Sequence, residues 1–160
     1  MFGRLFTMRR ALNLVLVLPL LFAACGPSPE QQTADREEIE TLLEEYLPVL
    51  GRAYAERNAL LIEDWAAPKE VARVHQRIEE LTNAGSVLEP VFQQVTVEDT
   101  QIWNNSNAFV TTVETWDVER FRAGTQQSMG RQMGQTNRVK YQLKRGDGGG
   151  WRVLYRTIQE

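Results

Sequence analysis

The chain reads as an α+β domain in which N-terminal helices pack on one face of an antiparallel sheet. Two observations predict this. Apolar residues recur at spacings of three and four from Ile39 to Tyr54 and again from Val71 to Leu81, the period of a one-sided helix. After Gly85 the period shortens towards two, and β-branched and aromatic residues dominate. Helices first and antiparallel strands afterwards leave the helices on one face of the sheet.

The first helix is expected over Asp35–Ala59. Ile39, Leu42, Leu43, Tyr46, Leu47, Leu50 and Tyr54 share one face, Thr33 or Asp35 suits the cap, and Glu37 and Glu38 suit the first turn. Pro48 lies inside the pattern and is expected to kink or split it. Leu60 to Trp65 carries the apolar patch into a connection, and Asn58 to Trp65 is a candidate for a further short helix. Pro68 suits the start of the next helix, with Glu70 in its first turn. Val71, Val74, Ile78 and Leu81 form its buried stripe, and Asn83-Ala84-Gly85 ends it. Strands are expected at Val91–Trp103, Asn107–Phe121, Arg138–Arg145 and 150–159, with turns at Asn104–Asn107 and Gly146–Gly150.

A long helix, a shorter helix and a meander closing on Tyr141-Gln142-Leu143-Lys144 and then Gly149-Gly150-Trp151-Arg152-Val153-Leu154 resemble the NTF2-like cone of SnoaL-type and cystatin-related proteins. Val113-Glu114-Thr115-Trp116-Asp117-Val118, paired with that final hairpin, is also similar to the intermembrane-space domain of plastid-division proteins and their cyanobacterial counterparts. The resemblance spans Glu37 to Gln159. It implies a curved sheet of about four strands folded around the helices over a conical cavity. It also implies a function of either kind: some members are isomerases, dehydratases or epoxide hydrolases, and many others only bind or assemble.

At the N-terminus, Arg9-Arg10 precedes an apolar run from Ala11 to Phe22, interrupted by Asn13 and Pro19 and too short for the roughly 20 residues of a spanning helix. A secretion h-region fits it. Phe22-Ala23-Ala24-Cys25 then resembles the lipobox of bacterial lipoproteins. The resemblance implies cleavage before Cys25, lipid on its thiol, and a place in the cell envelope; in a Gram-negative host, Gly26-Pro27 implies the outer membrane, facing the periplasm. Cys25 is the one cysteine, so no disulfide can form within the chain. The expected organisation is a signal peptide at 1–24, a lipid-anchored tether at 25–34 and the NTF2-like domain at 35–160. Fully extended, residues 26–34 reach about 3 nm.

Without residues 1–24 the chain keeps 15 Lys+Arg against 21 Asp+Glu, a net charge of −6. That balance excludes a nucleic-acid partner and a polybasic contact with anionic lipid.

Few residues suit catalysis. His75, the single histidine, sits beside the second helix's stripe, and a histidine cluster for a metal is excluded by count. No cofactor or metal is expected. Tyr46 lies at the centre of the first helix's apolar face. Glu114 and Asp117 fall on opposite faces of one strand, so only one can face the helices as a general base. Arg122–Asn137 is polar, glycine-punctuated and long for a hairpin connection. It reads as an arm, with Met129, Arg131 and Met133 as partner-contact candidates. The resulting reading is a membrane-anchored envelope lipoprotein whose domain binds a protein partner or a small apolar ligand without catalysis, with a homodimer through the sheet as a further arrangement. The enzymatic alternative is an NTF2-like isomerase, dehydratase or hydrolase that uses Tyr46 with Glu114 or Asp117 on a small hydrophobic molecule.

Overall fold

The computed structural model describes residues 28–159; the signal segment and the lipidation expected at Cys25 lie outside them. Two helices, α1 (Pro29–Ala55) and α2 (Pro68–Asn83), flank a 3-10 turn at Ala59–Ile62 and are followed by β1 (Ser86–Trp103), β2 (Asn107–Arg122), β3 (Ser128–Arg145) and β4 (Trp151–Gln159). The strands form one antiparallel meander in the order β1-β2-β3-β4. Register shifts interrupt every strand pair, including those at Phe92/Gln94, Trp116/Val118 and Gln142/Leu143. Such bulges bend strands and deepen twist, and they curve this sheet around the helices. Among the described residues no helix is long and apolar enough to cross a membrane.

α1 begins at Pro29 rather than Asp35. Ser28 is its cap, its hydroxyl accepting from the Gln31 amide at 3.2 Å, and Pro29 takes the first helical position, where its missing N–H costs nothing. Residues 29–34, expected as tether, are therefore helical. The helix also runs unbroken through Pro48 to Ala55. Its buried stripe of Ile39, Leu43, Tyr46, Leu47 and Leu50 packs in one core with Val110, Val139, Tyr141, Leu143 and Val153 of the sheet. This large apolar contact holds the helix across the lost hydrogen bond. Gly51 allows a close approach of helix and sheet: a Cβ there would lie 2.6 Å from the Pro90 carbonyl oxygen.

Asn58 to Trp65 supplies one 3-10 turn, Ala59–Ile62, rather than a third helix. α2 has no side-chain cap, but its start is tied to β4 because the Ala67 amide donates to the Val153 carbonyl at 2.8 Å. Val74, Ile78 and Leu81 are buried as expected, Val71 only partly, and Gly85 follows with φ +70°, the left-handed geometry that ends helices. β1 starts at Ser86, ahead of the expected Val91. The larger difference lies in Arg122–Asn137. Only the short turn after Arg122 is a loop; from Ser128 onwards the segment is strand β3, paired with β2 from Phe121↔Ser128 to Glu114↔Asn137. Residues 128–136 are exposed throughout, so no apolar alternation marked them as a strand.

Candidate functional site: a buried carboxylate and the clefts beside it

Every second residue of β2 from Ala108 to Trp116 is buried, which carries Glu114 into the core. Its carboxylate accepts four donors. Trp116 Nε1 reaches Oε2 at 2.9 Å, Arg156 Nη2 reaches Oε2 at 3.2 Å, the Thr112 hydroxyl reaches Oε1 at 3.3 Å, and the Tyr141 hydroxyl donates to Oε1. A carboxylate offers about four acceptor positions, so Glu114 is saturated by its own fold. Burial of this ion is compensated by the paired guanidinium and these donors.

Asp117 falls on the other face of β2, at the register shift between Trp116 and Val118. It lies away from the core, accepting from the Gly134 amide at 2.7 Å and from Gln93 Nε2 at 3.1 Å. Of the two strand carboxylates, Glu114 is the inward one.

Tyr46 is fully buried, but its hydroxyl turns to Glu70 Oε1 at 3.4 Å. Glu70 opens α2 and is buried with it. Arg73, one turn on, contacts Glu70 Oε2 at 3.1 Å and donates to the Arg156 carbonyl at 2.6 Å. Arg156 thus sits between two carboxylate centres, binding Glu114 through its side chain and the Glu70–Arg73 pair through its main chain. Burial raises the Glu70 pKa, while Arg73 and Arg156 hold it back. Burial lifts Tyr46 and Tyr141 well above the usual tyrosine value, so both stay protonated as donors. At Arg156 burial works against the charge, and Tyr141 and Glu114 beside it outweigh that, raising its pKa.

Neither Tyr46 nor Glu114 opens on the clefts of this region. Two clefts meet at Arg156. One, of about 380 Å³, runs between α2 and the end of β4 past Glu70, Arg73 and Glu80. The other, of about 310 Å³, lies between α1 and the sheet, with apolar walls from Leu50, Leu88, Pro90, Trp116 and Val118. Tyr54, Arg77 and Ile158 border both. A third groove, of about 810 Å³, lies between the 3-10 turn and α2 and includes His75 and Leu60. His75 is exposed and reaches Glu79 at 3.4 Å. Among the described residues no group of three or more His, Cys, Asp or Glu is placed to hold a metal ion.

Met129, Arg131 and Met133 all lie on the exposed half of β3, with Met129 51% and Met133 60% exposed. Arg131 pairs across the strands with Glu119 at 3.9 Å. A third buried acid lies near the start of α1. Asp35 on α1 is held by Arg145 of β3, which also contacts Glu38 at 3.4 Å and the Asn105 carbonyl at 2.9 Å. Sequence reasoning missed Glu70, Arg156 and the burial of Asp35. Their partners Tyr46, Glu114 and Arg145 lie 24 to 110 positions away, and only the fold brings them together.

No family model matches the chain, and no curated protein matches it in sequence. Solved structures do. The intermembrane-space region of the chloroplast protein ARC6 superposes with a TM-score of 0.64 at 12% identity, over 82% of this chain and 98% of that one. An NTF2-like superfamily protein from Salmonella enterica serovar Typhimurium strain LT2 gives 0.50 at 12%, over 80% and 92%. The fold is NTF2-like. A periplasmic fragment of TraM shares it, with a TM-score of 0.51 at 10% identity over 78% of this chain and 97% of the fragment.

Proposed function

We propose that this protein is an envelope lipoprotein, anchored through lipid on Cys25, whose NTF2-like domain binds a protein partner or a small ligand rather than catalysing a reaction. The observation that carries the non-catalytic reading is the saturation of Glu114. General acid–base chemistry needs a positioned group within hydrogen-bond reach of a reacting atom. Here each Glu114 oxygen is occupied by protein donors, and Tyr46 is bonded to Glu70 instead. The tyrosine–carboxylate pair of the enzymatic alternative is thus built into the core as a structural network. The envelope reading is supported by the lipobox-like Phe22–Cys25. Two structures of the same fold also come from comparable compartments, a chloroplast intermembrane space and a periplasm.

Two measurements test the halves of the proposal separately. Cys25→Ser should abolish incorporation of labelled palmitate and release the protein from membranes; unchanged attachment would refute the anchor. Crosslinking in intact cells should capture an envelope partner or a small ligand. Turnover of a small ketone or epoxide that disappears in both Tyr46→Phe and Glu114→Gln, with both variants folded, would overturn the non-catalytic reading.

A further inference from the structure

The 310 Å³ cleft between α1 and the sheet is apolar along its walls, yet its mouth is not neutral. Arg77 of α2 and Arg156 of β4 both line it, Gln135 and Asn137 of β3 add amides, and no carboxylate lines it. The charged groups of the lining are thus guanidinium groups alone, with the paired carboxylates Glu114 and Glu80 outside it. The two arginines are not equivalent. Arg156 has its Nη2 on Glu114, and its Nε is buried without a hydrogen-bond partner. Arg77 is half exposed and pairs with Glu80 of the neighbouring cleft, at 3.0 Å. An exposed pair of that kind contributes little and is readily exchanged. Ile158, 55% exposed, lies at the same mouth.

A site of roughly 300–1,000 Å³ with apolar walls and a few convergent polar groups is the form small-molecule sites take. Guanidinium groups recognise carboxylates through paired N–H donors. We infer that this cleft binds a small amphiphile with an apolar body and a single carboxylate head, the body against Leu50, Leu88 and Val118 and the head between Arg77 and the amides of Gln135 and Asn137. The inference rests on the ligand-binding half of the proposed function and names the class of ligand. It also assigns a role to the inner end of the polar β3 segment, which supplies the two amides.

The test is calorimetry on the full chain in phosphatidylcholine nanodiscs, with empty nanodiscs as the reference and octanoate, octanol and octylamine as probes. Octanoate should bind at least tenfold more tightly than either of the others, and added salt should weaken it. Arg77→Gln and Ile158→Asp touch only half-exposed positions, so both should keep the melting temperature. Each should weaken octanoate fivefold or more, and Arg77→Gln should leave octanol unchanged. Equal binding of octanoate and octanol would overturn the anionic specificity and leave an apolar-ligand site standing. No binding of any probe would overturn the site itself, leaving the protein-partner half of the proposed function to crosslinking. Octanoate binding unaffected by both variants would place the ligand elsewhere and also overturn it.

Discussion

β3 is one strand whose two halves differ in everything except pairing. From Arg138 to Arg145 it alternates, and Val139, Tyr141 and Leu143 are fully buried under the helices. From Ser128 to Thr136 every residue is exposed, although the pairing with β2 continues through two register shifts. The difference shows that main-chain hydrogen bonding to β2 makes a strand, whereas only cover by a helix makes a core. Glu114 and Asp117 fall on the two sides of that divide. One is a buried ion held by four donors, and the other a surface acceptor holding a bulge.

The comparison breaks hardest at Glu114. Glu114→Ala strands the Arg156 guanidinium and leaves Trp116 Nε1 and the Tyr141 hydroxyl buried without an acceptor. Removing one partner of a buried ion pair costs about 3–5 kcal/mol. Urea melts should show that loss. A cost below about 1 kcal/mol would mean that the network is hydrated and Glu114 is available for chemistry.

Gly51→Ala probes the same covered half without touching charge. The added methyl would meet the Pro90 carbonyl oxygen at 2.6 Å and the Trp116 ring at 3.4 Å, so helix and sheet must separate. Overpacking of this kind costs about 1–3 kcal/mol. A neutral result in thermal melts would show that α1 can move away from β1 freely.

What could be read from the sequence follows the same divide. The stripes of α1 and α2, the alternation Val139/Tyr141/Leu143 and the glycine-rich turn after Arg145 were legible because burial writes a period into the residues. The exposed half of β3 carries no period, since neither of its faces is covered, and its pairing partner lies in the main chain of β2. The start of α1 was signalled by Ser28 followed by Pro29, a cap with proline at the first helical position. The second nearby proline and the polar run made the segment look like a tether instead. Glu70 looked like an ordinary first-turn acid. Its burial depends on α2 docking against β4 through Ala67 and Arg73, contacts with residues 153 and 156. Which of Glu114 and Asp117 faces inward was an open alternative that the buried alternation from Ala108 to Trp116 decides.

Glu70 sharpens the comparison through pH. Burial raises its folded pKa above the ordinary value of 4.5. The folded state therefore holds this proton more tightly than the unfolded state does. Its contribution to stability is present in full at acid pH and is lost as pH rises from the unfolded value through the folded one. Glu70→Gln should remove that downward slope while Tyr46 keeps a hydrogen-bond partner. Denaturant melts at a series of pH values read the slope directly. An identical slope in the variant would assign the titration to another group.

The exposed arm should give the smallest effect on stability and the clearest one on association. Met129 and Met133 are more than half exposed, and surface substitutions away from special contacts usually stay within about 0.5 kcal/mol. The double variant Met129→Ser, Met133→Ser should therefore melt like the parent. If the arm is the partner-contacting region proposed for it, the same variant should lose crosslinks to envelope proteins, because flexible apolar thioethers would no longer be offered to the partner. Asp117→Ala is the matching control: it removes the acceptor of the Gly134 amide, worth about 0.5–1.5 kcal/mol, and loosens the arm without changing its methionines. Reduced crosslinking in the methionine variant but not in the aspartate variant would place the contact in the side chains. Reduction in both would place it in the arm's shape. A melting loss above about 1.5 kcal/mol for the methionine pair alone would contradict the exposed state itself, and would mean that a second copy of the chain covers this half of β3 in solution.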